Sequence, residues 1–124
     1  MPSYNGGCLC CNIRYICSAE PIVKVLCHCS DCRKISGSNY SVNFHIHEAA
    51  FQVTLGTPKV FSKVADSGHV INSYFCGNCG IVKARTLDDS SEIISTAVFD
   101  IEVFMRSRVE WVQPIAGVSQ RVAE

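Results

Sequence analysis

A chain of 124 residues has the length of one domain with a buried core, and its 11 Lys+Arg balance its 11 Asp+Glu. That neutrality argues against a nucleic-acid surface, whose affinity comes from cations neutralising phosphates. A content of 48% hydrophobic residues argues against disorder, and no apolar run reaches the roughly 18 residues that span a bilayer. Nine cysteines, an odd number behind an N-terminus without the basic or apolar region of a signal peptide, point to thiols of a reducing, cytoplasmic compartment rather than to disulfides.

In chain order, Gly7-Cys8-Leu9-Cys10 carries the first cysteine pair, and in an extended segment residues i and i+2 face the same way. Residues 13–17 alternate as a strand. Residues 23–29 form the next strand, with Cys27 and Cys29 on one face and His28 on the other. Ser30 can cap a short helix running to Gly37. Cys32 then sits in its first turn, where the helix dipole and the adjacent Arg33 and Lys34 favour a thiolate. The clearest period-two run is 40–46, followed by a single turn at 47–50. Residues 51–55 alternate and stop at Gly56-Thr57-Pro58. Residues 59–64, 70–75, 81–87 and 93–99 read as further strands, joined by turns at 65–68 and 88–91. The expectation is one mainly β domain over 1–124, clamped by metal.

The sharpest local signal is Phe75-Cys76-Gly77-Asn78-Cys79-Gly80. Two thiolates separated by two residues suit a tight knuckle around tetrahedral zinc, and Gly77 and Gly80 permit the positive φ of such turns. A knuckle supplies two ligands; Cys8 and Cys10 are the natural other two. A redox Cys-x-x-Cys pair is the competing reading, but no βαβ pattern surrounds it.

The second group, Cys27, Cys29 and Cys32, brings three thiolates without an obvious fourth partner. A structural zinc is closed by four protein ligands, whereas a catalytic one keeps a position for water or substrate. Cys11, Cys17, His28, His45 and His47 are the residues that could close the site and make it structural. Strand alternation disfavours His28, and Cys11 points opposite to Cys10. Cys17 follows the Ile13/Tyr15 alternation of a core residue, and His45 alternates with Val42, Phe44 and Ile46 along a strand.

Taken together, these residues resemble the glutathione-dependent formaldehyde-activating enzymes, a family grouped with centromere protein V. Gly7-Cys8-Leu9-Cys10 with Ile13-Arg14-Tyr15 is similar to the family's opening segment. Cys27-His28-Cys29-Ser30-Asp31-Cys32-Arg33-Lys34 with Ser36-Gly37 is similar to its central motif. Phe51, Gly56-x-Pro58, Ser67-Gly68 and Phe75-Cys76-x-x-Cys79-Gly80 follow in the family's order, and Arg106-Ser107-Arg108 with Trp111 resembles its C-terminal segment.

The resemblance implies a β-tent fold of small twisted sheets and two zinc ions. Cys8, Cys10, Cys76 and Cys79 would hold the structural ion, and Cys27, Cys29 and Cys32 the catalytic one. It also implies a carbon–sulfur lyase like S-(hydroxymethyl)glutathione synthase, with glutathione as one small-molecule substrate. Three residues depart from the family pattern: Cys11 where many members have Gly, Ser73 where Arg is frequent, and Glu102 where His is common. Losing Arg and His and gaining Glu makes the surroundings less suited to the two carboxylates of glutathione.

Beside the enzyme stand two other readings, a non-enzymatic zinc module that binds a partner and a redox or metal-storage cluster. The neutral charge weighs against a nucleic-acid partner. Any anion-binding patch would draw on Arg33, Lys34, Arg106 or Arg108.

Overall fold

A computed structural model describes residues 3–65, 67–81, 88 and 99–123. The strands, in chain order, are β1 (Tyr4–Gly7), β2 (Arg14–Cys17), β3 (Val23–Cys27), β4 (Ser41–His45), β5 (Phe51–Leu55), β6 (Lys59–Val64), β7 (Val70–Cys76), β8 (Gly80–Ile81), β9 (Ile101–Val103) and β10 (Ser119–Gln120). One α-helix, α1 (Ser30–Ser36), and two 3-10 turns, Glu48–Ala50 and Met105–Ser107, complete the described elements. The protein is mainly β, as its period-two patterns predict. No helix among the described residues is long and apolar enough to cross a membrane.

Two compact units emerge, Met1–Glu20 with Ile46–Thr96 and Pro21–His45 with Ala97–Glu124. The first holds two antiparallel three-stranded sheets, of order β1-β2-β5 and β6-β7-β8. β2 forms because Tyr15 and Cys17 alternate inward; opposite them on β5 stand Val53 and Phe51, and the Tyr15 and Phe51 rings lie 5.1 Å apart. The hairpin β6–β7 runs from Lys59 opposite Phe75 to Val64 opposite Val70 and delivers Cys76 at its end. One face of this hairpin carries Val60, Val64, Val70 and Tyr74, all exposed, with a Ser62–Asn72 side-chain hydrogen bond of 2.6 Å among them. Among the described residues of this unit, Cys8, Ile13 and Cys76 form a buried cluster, with Cys10 and Val53 against it.

The second unit is a four-stranded mixed sheet of order β10-β9-β3-β4. β3 pairs antiparallel with β4 and parallel with β9, and β9 pairs parallel with β10. Val25, Leu26 and Cys27 are buried in succession rather than alternately, as a central strand covered on both faces requires. Asp100 starts the parallel pairing: its Oδ2 accepts from the Lys24 amide at 2.8 Å, while its own N–H donates to the Lys24 carbonyl at 3.0 Å.

Expected and observed limits coincide for β5 and β6, and β2 and β4 are trimmed by a residue at one or both ends. The strand expected over 23–29 stops at Cys27, because Cys29 has already become the cap of α1. Cys8 and Cys10 do not share an extended segment. β1 ends at Gly7, the Cys11 amide closes a turn onto the Cys8 carbonyl at 3.1 Å, and Cys11 itself takes a φ of 66°. The strands expected at 81–87 and 93–99 and the turn at 88–91 fall almost wholly outside the described residues.

Arg14 and Asp88 form a two-pronged ion pair, Nη1 to Oδ1 at 3.1 Å and Nη2 to Oδ2 at 2.6 Å, and the Asp88 amide donates to the Asn5 carbonyl at 2.9 Å. The guanidinium holds the Asp88 carboxyl below its ordinary range. A carboxyl depressed in the folded state stabilises above its unfolded value of about 3.9 and loses that contribution as pH falls through the folded value. The pair is part-exposed, so Asp88→Asn should lower stability by only about 0.2–1 kcal/mol at neutral pH. Thermal melts of the two proteins should converge as the pH falls below the ordinary carboxylate range, and in high salt.

Candidate metal centre

Each compact unit carries one cysteine group. Cys8, Cys10, Cys76 and Cys79 bring their sulfurs within 4.8 Å of one another in the first unit, and Cys27, Cys29 and Cys32 do so in the second. All nine cysteines are free thiols.

In the four-cysteine group, Cys8 and Cys10 sulfurs lie 3.6 Å apart and those of Cys10 and Cys76 3.7 Å apart. A disulfide would need about 2.05 Å. A tetrahedral zinc with bonds of about 2.3 Å holds its sulfurs about 3.8 Å apart, so the donor set fits that ion. Backbone amides support the sulfurs: Ile13 N–H donates to Cys8 Sγ at 3.2 Å, Cys10 N–H to Cys79 Sγ at 3.3 Å and Asn78 N–H to Cys76 Sγ at 3.4 Å. Hydrogen bonds from Asn78, then from the Asn12 amide, hold the Cys10 thiol down to about 6. The turn after β1 does what an extended segment was expected to do. It folds Cys10 back over Cys8 and leaves Cys11 exposed and outside the group.

In the three-cysteine group, β3 delivers Cys27 at its last residue, and Cys29 and Cys32 lie at the start of α1. Ser30 does not cap this helix. Cys29 does, its sulfur accepting the Cys32 amide at 3.3 Å, so a sulfur of the group satisfies an orphan helix donor. Gly37 ends the helix in the left-handed conformation. The neighbouring Cys32 thiol and then burial push the Cys27 thiol up, and burial pushes Cys29 up. Thiols crowded in this way resist ionising together, and a divalent cation reverses that preference. Among the described residues no fourth Cys, His, Asp or Glu ligand atom joins the group, so Cys11, Cys17, His45 and His47 stay outside it. Cys17 is buried in the first unit, where burial raises its thiol.

His28 is also outside the group, as alternation predicts, and its position is informative. It is 0% exposed, and its Nε2 lies 3.1 Å from Oε1 of Glu102, which is also 0% exposed. The other carboxylate oxygen accepts the Ile115 amide at 3.1 Å and Gln120 Nε2 at 3.0 Å. Glu102 therefore does not present charge to a substrate; its oxygens are used inside the second unit. Nothing in the local pattern of residues 99–103 marks it as a partner of His28, because the two meet through a parallel pairing across 74 residues.

Ser73 lies half-buried on β7 in the first unit, opposite Phe61. Arg108 is committed to its own loop, its Nη1 donating to the carbonyls of Val109, Glu110 and Val112. Arg33 differs, since its Nε is buried without a hydrogen-bond partner.

The two knuckle glycines are not equivalent. Gly80 has a φ of 120°, whereas Gly77 is not in the left-handed region and its missing Cβ faces the flexible end of Lys59. Gly80→Ala should cost about 1–3 kcal/mol through backbone strain and speed metal loss from the four-cysteine group. Gly77→Ala should need only a shift of the Lys59 side chain and leave both unchanged. Melting temperature and chelator-driven metal release distinguish the two variants.

The model of the glutathione-dependent formaldehyde-activating enzyme family matches residues 3–113. No curated protein matches the chain. With nearly the whole chain covered by that match and both cysteine groups assembled, the protein belongs to the glutathione-dependent formaldehyde-activating enzyme family.

Proposed function

We propose that this protein is a zinc-dependent carbon–sulfur lyase-type enzyme that acts on a thiol–aldehyde adduct or a related small carbonyl compound. The observation that carries this reading is the three-cysteine group, which lacks a fourth protein ligand among the described residues. Cys8, Cys10, Cys76 and Cys79 hold a structural zinc, and Cys27, Cys29 and Cys32 hold a second one with a coordination position left for substrate. A bound zinc supplies positive charge that favours a thiolate or polarises a carbonyl oxygen.

The chain's own residues do the rest. Cys29 is fixed by the Cys32 amide, and Arg33 and Lys34 add positive charge one and two residues beyond Cys32. The charge of Arg33, whose Nε is buried, adds to the field that favours the thiolate form of the group. In the synthetic direction the thiol sulfur bonds to the aldehyde carbon, the carbonyl π pair moves to oxygen and the proton lost by the thiol ends on that oxygen. Glutathione with formaldehyde is the pair the family name suggests. A neutral chain that binds two divalent cations through seven thiolates becomes mildly anionic, which disfavours a nucleic-acid partner and suits a small-molecule one.

The test is metal analysis with Co²⁺ substitution. The wild-type chain should bind two equivalents, and glutathione or a simpler thiol should perturb the spectrum of one. Cys32→Ser should lose that responsive metal and keep its fold, whereas Cys76→Ser should lose the other metal and unfold, because structural zinc binding is folding free energy. Two unresponsive metals would favour a non-enzymatic zinc-binding interaction module. Equal unfolding by both variants would overturn the division of roles.

A further inference from the structure

The buried pair of His28 and Glu102 is outside both cysteine groups, yet it stands directly behind one of them. Alternation along β3 sends Cys27 to one face of the sheet and Leu26 and His28 to the other. β9 runs parallel in register, with Leu26 beside Glu102 and Cys27 beside Val103, so Glu102 lies on the His28 face.

We propose that Glu102, acting through His28, is the positioning residue for the three-cysteine group. It fixes the segment between Cys27 and Cys29 so that both sulfurs are presented to Cys32. This rests on the reading of that group as a metal site.

Pairing of β3 with β4 ends at Cys27, opposite Ser41, and Cys29 already belongs to the helix cap. His28 alone spans the change. Its N–H donates to the Val103 carbonyl at 3.1 Å, which holds the backbone on one side, and its ring is held by Glu102 on the other. Because the Ile115 amide and Gln120 restrain the second carboxylate oxygen, Glu102 cannot swing to follow a displaced ring. Gln120 also donates to the Ile115 carbonyl at 3.0 Å, which closes the arrangement on itself. Tyr40 packs edge-on to the imidazole at 5.1 Å. A carboxylate only accepts, so Nε2 carries the proton, while Nδ1 is buried without a partner. The interaction used is therefore one donor at one ring position, not the imidazole as a whole.

That separates positioning from packing. His28→Phe keeps a ring but removes the donor; His28→Gln removes the ring but retains an N–H donor near the place of Nε2. The full chain is loaded with Co²⁺ and followed by metal stoichiometry, the absorption spectrum and release to a chelator. Wild type and His28→Gln should hold two metals with matching spectra. His28→Phe should release the metal of the three-cysteine group about tenfold faster or more, with an altered spectrum, and leave the four-cysteine group unchanged. Should His28→Phe fail to fold, Glu102→Met carries the same test, since a thioether of similar length offers Nε2 neither a carboxylate acceptor nor a donor that the other imidazole tautomer could accept from.

Wild-type spectrum and release in folded His28→Phe would overturn the inference, as would equal metal loss in folded His28→Gln. A wild-type chain holding one metal would instead remove the underlying reading, because no second site would exist to be positioned.

Discussion

Sulfur crowding is the constraint on which the structure depends. Seven thiols gather in two groups, each with its sulfurs within 4.8 Å. Seven negative charges at that spacing repel, and protons on the buried sulfurs of Cys8, Cys27 and Cys76 leave weak donors shielded from water. A divalent cation resolves both problems at once. In the first unit a buried cluster among the described residues is built around two of these sulfurs: Cys8 and Cys76 with Ile13, and Cys10 and Val53 beside it. Structural zinc supplies on the order of 10 kcal/mol in small domains, so under the proposed reading the four cysteines carry a large share of this unit's cohesion.

The second unit uses a different device. Its sheet buries Val25, Leu26, Cys27, Ile101 and Phe104, but also His28, Ser41 and Glu102. Buried polar groups are tolerable when every strong acceptor is met, and Glu102 meets three donors from the end of β3, the Ile115 loop and β10. Removing one partner would leave an unpaired buried group, which costs about 1–3 kcal/mol, so the arrangement is tied to its geometry as a jigsaw of alkyl groups is not. The ends of β9 and β10 are thereby fixed by a carboxylate more than by their own ladders, which are three and two residues long.

This difference explains what could be read in the sequence. Cysteine spacing is local and obeys ligand geometry, so both groups were legible, as were strands with regular alternation such as Phe51–Leu55 and Lys59–Val64. β1 was hidden because two of its four residues are glycine, and β9 and β10 are too short to show a period. Turn conformation was legible only in part. Cys8 and Cys10 converge through a turn with Cys11 at positive φ, a conformation that a non-glycine residue does not advertise. Cys29 displaced Ser30 as helix cap because its sulfur was already held at that place, and a propensity scale has no term for a thiol with two duties. Glu102 was visible as a residue but not as a partner, since parallel pairing sets its neighbour at a distance the local pattern does not encode.

The position of Glu102 also changes the argument about substrate. Read along the chain, a glutamate in place of a cation makes the surroundings hostile to carboxylates. Read in the fold, its charge is enclosed and spread over three donors, and a substrate meets neither oxygen. Its effect on an anionic ligand is reduced to a long-range field inside a unit that also carries Arg33 and Lys34 beside Cys32. Arg108 keeps its charge but is held at Nη1 by the carbonyls of its loop, and the Arg33 Nε is buried without a hydrogen-bond partner. The exchange of a histidine for Glu102 is therefore a matter of how the second unit is held together rather than of charge offered to a ligand.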